Sequence, residues 1–158
     1  MTTPAWSLEA ICDALAARFI TSAIGSPTGA VPMKASYSEP PKSVPTVPAH
    51  LLEVVDGDIT DNSSQWTHHL NIDGVLLLSK RPGDTKRVET QRRLWLPYLL
   101  HAAVDQWKLG IGAQVGYELK SAIPGGWEFT EYNVADVEFD AIRVHWQVWL
   151  IETIAPTP

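Results

Sequence analysis

Histidine and carboxylate side chains are the residues of this sequence whose types suit metal binding or acid–base chemistry. His68 and His69 are adjacent, and with His145 and Asp73 they form the most obvious set of metal ligands. The segment around them alternates polar and apolar residues as a β-strand does, so neighbouring side chains point to opposite faces. His68 and His69 therefore cannot bind one ion in a regular strand, and we interpret them as solvated or cross-strand histidines rather than as a zinc site.

A second chemical candidate is an acidic group near the end of the chain. Its members are Glu128, Glu131, Asp136, Glu138 and Asp140. Paired carboxylates work as acid and base when burial or close like charge shifts their pKa values. This segment has the character of an exposed turn, so we interpret the group as a solvated acidic loop.

The sequence carries no fingerprint of nucleophilic catalysis or phosphate binding. Gly110-Ile111-Gly112 lacks the third spaced glycine of a dinucleotide-binding loop, and we interpret it as a turn. Cys12 is the only cysteine, which excludes an intrachain disulfide and a Cys-rich metal site. We expect Cys12 to pack as a small apolar side chain, and we predict no catalytic, cofactor-binding or metal-binding residues.

The charge balance argues against tight binding of nucleic acid. The formal net charge is -6 with only 12 Lys and Arg, so counterion release from phosphates gains little. An acidic surface would nevertheless suit a channel through which DNA slides without adhering. The one basic concentration comprises Lys80, Arg81, Lys86, Arg87, Arg92 and Arg93. Arg92 and Arg93 could pair with acids near Asp56 and Asp58, within the chain or across a subunit boundary, or could form a solvated helix face.

Tryptophan is unusually frequent, with seven Trp against three Phe and four Tyr. Trp offers a large rigid contact area with a polar N–H and is enriched at protein interfaces. We expect some of these side chains to fill a core and others to face partner subunits.

Two helices are predicted. The first is amphipathic from Leu8 to Phe19, with Ser7 as its N-cap, and it ends near Gly25. The second follows a capping Asp84, presents an apolar face that includes Trp95, and is expected to be kinked or split at Pro97.

The remaining segments predict strands joined by turns. The predicted strands are His50–Val55, Gln65–Ser79, Val115–Leu119, Trp127–Tyr132 and Ala141–Thr153, with turns at 56–58 and 124–126 and a polar loop to Ser64. Because the helices are too few to alternate with the strands, the pattern predicts one α+β domain over residues 1–158. Its mostly antiparallel sheet is covered on one side by the two main helices.

Residues 25–48 are rich in Pro and are predicted to form a surface arm or loop, ordered by packing against a neighbour. An alternative is that Lys34–Tyr37 forms a short edge strand. Residues 155–158 are expected to be disordered. The first residues do not have the pattern of a secretory signal, and no stretch has the apolar length of a membrane span, so we expect folding in the cytoplasm.

This plan resembles the tail terminator, or tail-completion, proteins of long-tailed bacteriophages. The residues that carry the resemblance are the helix Leu8–Phe19, the Pro-rich approach 40–45 to the strand 51–55, and the strand Trp66–Leu78. Residues 78–84 leading to Trp95-Leu96-Pro97-Tyr98, and the closing strand Glu138–Val144, are similar to members from actinobacteriophages.

The resemblance implies a homohexameric ring on the head-proximal end of the tail tube. Such a ring stops polymerisation of the major tail tube protein and offers a surface to a neck or head-completion protein, while DNA only passes through its lumen. It implies no cofactor, no membrane partner and no catalytic motif, and it places the protein in the virion after assembly in the host cytoplasm. A head-completion or stopper protein of the neck, a small metal-binding enzyme and a monomeric binding module remain as alternatives.

Interface candidates come from the exposed segments of this sequence. They are Tyr37, Pro40, Pro41, Asp56, Asp58, Asp61, Arg92, Arg93 and Trp127. Exposed edge strands and the Pro-rich arm are the elements with which a neighbouring subunit can pair.

Overall fold

The computed structural model describes residues 6–21, 25–111, 113, 114 and 116–154, with only the backbone at residues 21, 102–111 and 113. The elements are α1 Leu8–Thr21, β1 Ala35–Tyr37, β2 Ala49–Asp61, β3 Gln65–Lys80, α2 Thr85–Ile111, β4 Ala113–Gln114, β5 Tyr117–Val134 and β6 Val137–Thr153. Two helices and a mostly antiparallel sheet confirm the predicted α+β fold class. Residues 155–158, predicted to be disordered, lie outside the described residues.

One six-stranded sheet has the order β1-β2-β3-β6-β5-β4. β1 pairs with β2 in parallel, and every other neighbouring pair is antiparallel. Two hairpins, β2–β3 and β5–β6, therefore join at the centre through β3 and β6. In the second hairpin, Ala135 and Asp136 both adopt positive φ, of 49° and 65°, as the two-residue turn of a twisted hairpin requires.

The helices cover one face of the sheet. Ser7 Oγ accepts a hydrogen bond from the Ala10 amide at 3.1 Å, which confirms the N-cap of α1. Asp84 Oδ1 caps α2 in the same way, accepting from the Lys86 amide at 3.1 Å. The predicted inward face of β6 is buried as expected, with Trp146 at its centre, and Cys12 of α1 packs in the same core.

The opposite face is covered only at one end. Leu51, Val75, Leu77, Val134, Phe139 and Ala141 form a second, smaller core there. Tyr37, Val44 and Val47 pack on it, so the Pro-rich segment folds back on its own sheet. The alternative edge strand is present as β1, which begins one residue later than predicted.

Two predicted turns are wrong, because the chain continues through them as strand. Asp56-Gly57-Asp58 lies within β2, where a β-bulge falls between Val54 and Asp56. Pro124-Gly125-Gly126 lies within β5, beside a bulge between Pro124 and Gly126. Bulges admit residues that a regular ladder would exclude, and Pro is tolerated on a strand with an unpaired edge because its missing N–H is not needed there.

The second helix is not split at Pro97, and it extends further than predicted. α2 runs without interruption through Pro97 and includes Gly110 and Ile111, which were predicted to turn. Pro97 removes the N–H that would bond the carbonyl of Arg93, but the position is exposed, so water can satisfy that carbonyl. The helix can therefore continue through Pro97 without being split into two.

His50 is a buried basic group on the helix-covered face of β2. It is 1% exposed, and its ring stacks on Phe19 with centroids 3.7 Å apart. A Cβ at Gly74 would lie 2.9 Å from both His50 Nε2 and Trp146 Nε1, so only glycine allows these rings to meet. Burial lowers the pKa of His50 from 6.5 to about 3, which means that the folded protein holds this ring neutral.

This burial predicts a loss of stability in acid. Between pH 6.5 and about 3 the unfolded chain binds a proton at His50 that the folded chain does not, so the free energy of unfolding falls as the pH falls. His50→Phe should remove about 1.4 kcal/mol per pH unit from that slope, measured by urea unfolding between pH 6 and pH 4. His69→Phe is the matched control and should keep the wild-type contribution of His50. Equal slopes for the wild type and His50→Phe would contradict the assignment.

Candidate functional site

A polar network lies on the open part of the second face. Asp73 of β3 is buried, and its two carboxylate oxygens contact two residues of β6. Arg143 Nη1 donates to Oδ2 at 2.6 Å, and His145 Nδ1 lies 2.7 Å from Oδ1. The β3–β6 register, in which Asp73 is opposite His145, places these groups together.

The network extends to both outer strands. Arg143 lies 3.7 Å from Glu53 of β2 and 3.7 Å from Glu128 of β5. Tyr132 of β5 donates from its hydroxyl to Glu53 at 3.0 Å. Burial, and next this hydrogen bond, raise the pKa of Tyr132 to about 12. Four strands are thus linked by side chains as well as by backbone.

The chemistry available to this network is limited by what faces His145. An Asp–His pair can serve as the orienting group and base of a hydrolase if the other ring nitrogen reaches a nucleophile. Here His145 Nε2 faces Glu128, 3.8 Å away, rather than a hydroxyl or a thiol. Among the described residues no group of three or more His, Cys, Asp or Glu is arranged to hold a metal ion. The geometry is that of an ion-pair network.

The two histidines of β3 also form cross-strand pairs, as predicted. His68 Nε2 lies 2.8 Å from Glu152 of β6, and His69 Nδ1 lies 2.8 Å from Asp58 of β2. The predicted acidic loop is wrong for most of its members, since only Asp136 lies in the turn. Asp140 is buried within β6 and is paired with Arg81.

The sheet leaves two long strand edges open in the described chain. β1 pairs only with Ala49–Leu51, so no strand borders the outer side of β2 from Leu52 to Asp61. β4 pairs only with Tyr117 and Glu118, so no strand borders β5 from Leu119 to Val134. The two open edges lie on opposite sides of one sheet. Such edges present unpaired N–H and C=O groups that can pair with another chain.

Two aromatic side chains of β5 and one arginine of α2 lie beside the open edge of β5. We call Trp127, Phe129 and Arg92 the aromatic patch. The two rings lie 5.2 Å apart, and Trp127 is 50% exposed. Arg92 Cζ lies 5.4 Å from the Phe129 centroid, while Nη2 donates to the carbonyls of Thr130 and Ala141. Sequence reasoning selected Trp127 and Arg92 separately and missed Phe129, although its spacing from Trp127 along a strand was a usable signal.

The open edge of β2 is acidic. Asp56, Asp58 and Asp61 lie along it, and we call them the acidic edge. Of the alternatives for Arg92 and Arg93, pairing with the acids near Asp56 and Asp58 within the chain does not occur. Asp56 accepts from Asn71 and Asp58 contacts His69, whereas Arg93 pairs with Glu89 of its own helix at 3.4 Å.

The predicted interface residues therefore fall into two groups. Tyr37 and the three acids lie on the β2 side of the sheet, with Pro40 exposed and Pro41 partly buried in the segment that follows β1. Arg92, Arg93 and Trp127 lie on the β5 side. Val54, Val55 and Ile59 add exposed apolar surface beside the acids.

The network predicts a stability effect that is independent of function. Arg143→Met leaves buried Asp73 without its closest cation, so we expect the free energy of unfolding to fall by about 3 kcal/mol in urea. Lys120→Met is the control, because its ion pair with Glu118 is exposed, and it should change stability by less than about 0.5 kcal/mol. Equal changes in the free energy of unfolding for the two variants would mean that the network does not stabilise the sheet.

The sequence matches no protein family profile and no characterised protein. No helix among the described residues has the length and apolar character needed to span a membrane.

Proposed function

We propose that this chain is a phage assembly protein that caps the head-proximal end of the tail tube as a homohexameric ring. It stops polymerisation of the major tail tube protein and provides the surface that joins the neck. The observation that carries this proposal is the pair of open strand edges on opposite sides of the sheet. The resemblance of the sequence to tail terminators supplies the identity of the tube and the number of subunits.

Strand direction makes the two edges complementary. Three successive antiparallel pairings, β2–β3, β3–β6 and β6–β5, leave β2 and β5 running in opposite directions. A second copy in the same orientation, with its β2 beside the first copy's β5, would continue the antiparallel alternation. Such a head-to-tail contact uses two different surfaces, and it produces a closed ring when the rotation between copies closes.

The β5 edge is also protected against indiscriminate pairing. Pro124 has no N–H to donate, and bulges lie between Leu119 and Ser121 and between Pro124 and Gly126. Edge prolines and bulges are devices by which proteins limit aggregation. They suit a subunit that must not polymerise freely before it reaches the end of a tube.

The face opposite the helices supports passage of DNA through such a ring. Glu53, Asp56, Asp58, Asp73 and Glu128 all lie on it, against Arg143 as the cation of the network. If the sheet faces the lumen and the helices lie outside, this charge repels phosphate and opposes adhesion. The mature protein then resides in the virion, after assembly in the host cytoplasm.

Electron microscopy of phage made with and without this gene product tests the proposal. A stop codon in the gene should give overlong tails without heads, because nothing ends tube growth, and complementation with the wild-type gene should restore the normal length. Normal-length tails beside heads that have lost DNA would instead assign the chain to the head-completion or stopper proteins. Phage of normal structure would exclude both roles.

A further inference from the structure

We propose that a cavity between the Pro-rich segment, the end of β3 and the first turns of α2 binds a small amphipathic anion. The ligand carries a compact apolar group, an N–H or O–H donor and a carboxylate. The volume of the cavity is about 320 Å³, close to the lower limit for ligand pockets, so the ligand is small. The cavity shares no residue with the two open strand edges, and the inference is therefore independent of the proposed function.

The walls of the cavity are mainly apolar. Val31, Val47 and Pro48 contribute from the Pro-rich segment, Leu78 from β3 and Val88 from α2. Leu78 and Val88 are buried. Valine has a stiff χ1 torsion, so walls of this kind lose little conformational freedom when a ligand packs on them. The apolar group of the ligand lies against these side chains.

A buried hydrogen-bond acceptor also belongs to the lining. Gln91 of α2 lines the cavity, and its Oε1 is buried with no hydrogen-bond partner among the described residues. Most buried polar side-chain atoms in folded proteins have a partner, because an unpaired one costs the free energy of its desolvation. A ligand that donates an N–H or an O–H to this oxygen supplies the bond.

Two cations of the lining determine the charge of the ligand. Lys80 and Arg87 are both exposed, and neither forms an ion pair within the described part of the chain. Asp84 also lines the cavity, but its Oδ1 accepts hydrogen bonds from the amides of Lys86 and Arg87 as the cap of α2. The two cations outnumber this acid and are free to donate to a carboxylate, so an anion is favoured over a neutral ligand.

An NMR titration with N-acetyl-L-phenylalanine tests the site, because this molecule carries an apolar ring, an amide N–H and a carboxylate on one small frame. Added to the full-length ¹⁵N-labelled protein, it should shift the backbone amides of Val31, Leu78 and Val88 saturably, with a dissociation constant of about 1 mM or lower. N-acetyl-L-phenylalanine amide lacks the charge and should bind about tenfold more weakly. Absence of saturation, shifts confined to other surfaces, or equal binding of the acid and the amide would overturn the proposal.

A matched pair of α2 variants tests the role of charge. Arg87→Gln removes a cation of the cavity and should weaken binding of the acid about tenfold, while binding of the neutral amide stays unchanged. Lys86→Gln removes the neighbouring exposed cation, which does not line the cavity, and should leave binding of both molecules unchanged. Equal losses in the two variants would show that the net charge of the protein attracts the anion, and the assigned site would be wrong.

Two further variants separate binding from folding. Gln91→Met removes the acceptor but keeps the length of the side chain, so binding of the acid should weaken about fivefold while the melting temperature does not fall. A lower melting temperature with unchanged binding would show that Gln91 serves the fold alone. Val31→Trp fills the cavity from a residue outside both hydrophobic cores and should abolish binding, and unchanged binding in this variant would exclude the cavity.

A longer ligand distinguishes the two sources of this chemistry. An acetylated pentapeptide that ends in phenylalanine carries the same three groups at its C-terminus. If it binds as tightly as N-acetyl-L-phenylalanine, the cavity accepts the end of a polypeptide chain. If only the small molecule binds, the cavity takes a free organic acid. Both results support the site, whereas failure of both molecules to bind the wild-type protein would overturn it.

Discussion

The antiparallel ladder between β3 and β6 is the constraint on which the rest of the structure depends. It places apolar side chains on both faces at one end, so that helices pack on one face and the Pro-rich segment packs on the other. It also sets the register that opposes Asp73 to His145. Gly74 sits on this ladder and leaves the space in which His50 and Trp146 meet. A shift of one residue would exchange the two faces and remove all of these contacts together.

The share of backbone N–H and C=O groups that are paired with a neighbouring strand decreases from the centre of the sheet outwards. β3 and β6 have neighbouring strands along both sides, whereas β2 and β5 keep long unpaired edges in the described chain. The side chains follow the same trend, because the helices cover the centre and leave Val54, Ile59 and Trp127 exposed. A sheet whose central strands are paired on both sides, and whose outer strands are not, is suited to association with copies of itself.

The sequence predicted the central strands well because their alternation is regular. Gln65–Ser79 and Ala141–Thr153 correspond closely to β3 and β6, and both helix caps are where Ser7 and Asp84 indicated. It failed where residues typical of turns lie in bulged outer strands, at Asp56-Gly57-Asp58 and at Pro124-Gly125-Gly126. Local composition cannot reveal that a strand has a free edge that tolerates Pro. The meeting of Arg92 with Trp127 and Phe129 was equally inaccessible, because it depends on how α2 packs beside β5.

Two complementary edges on one subunit give a closed assembly a property that no single joint has. In the proposed ring, each arriving subunit forms one joint, except the last, which enters a gap bounded by both kinds of edge and forms two. The second of these joints forms within the assembly, so it benefits from a high effective concentration. Closure is therefore cooperative, and partial rings are short-lived relative to complete ones. A ring built in this way would occupy the end of a tube either completely or hardly at all.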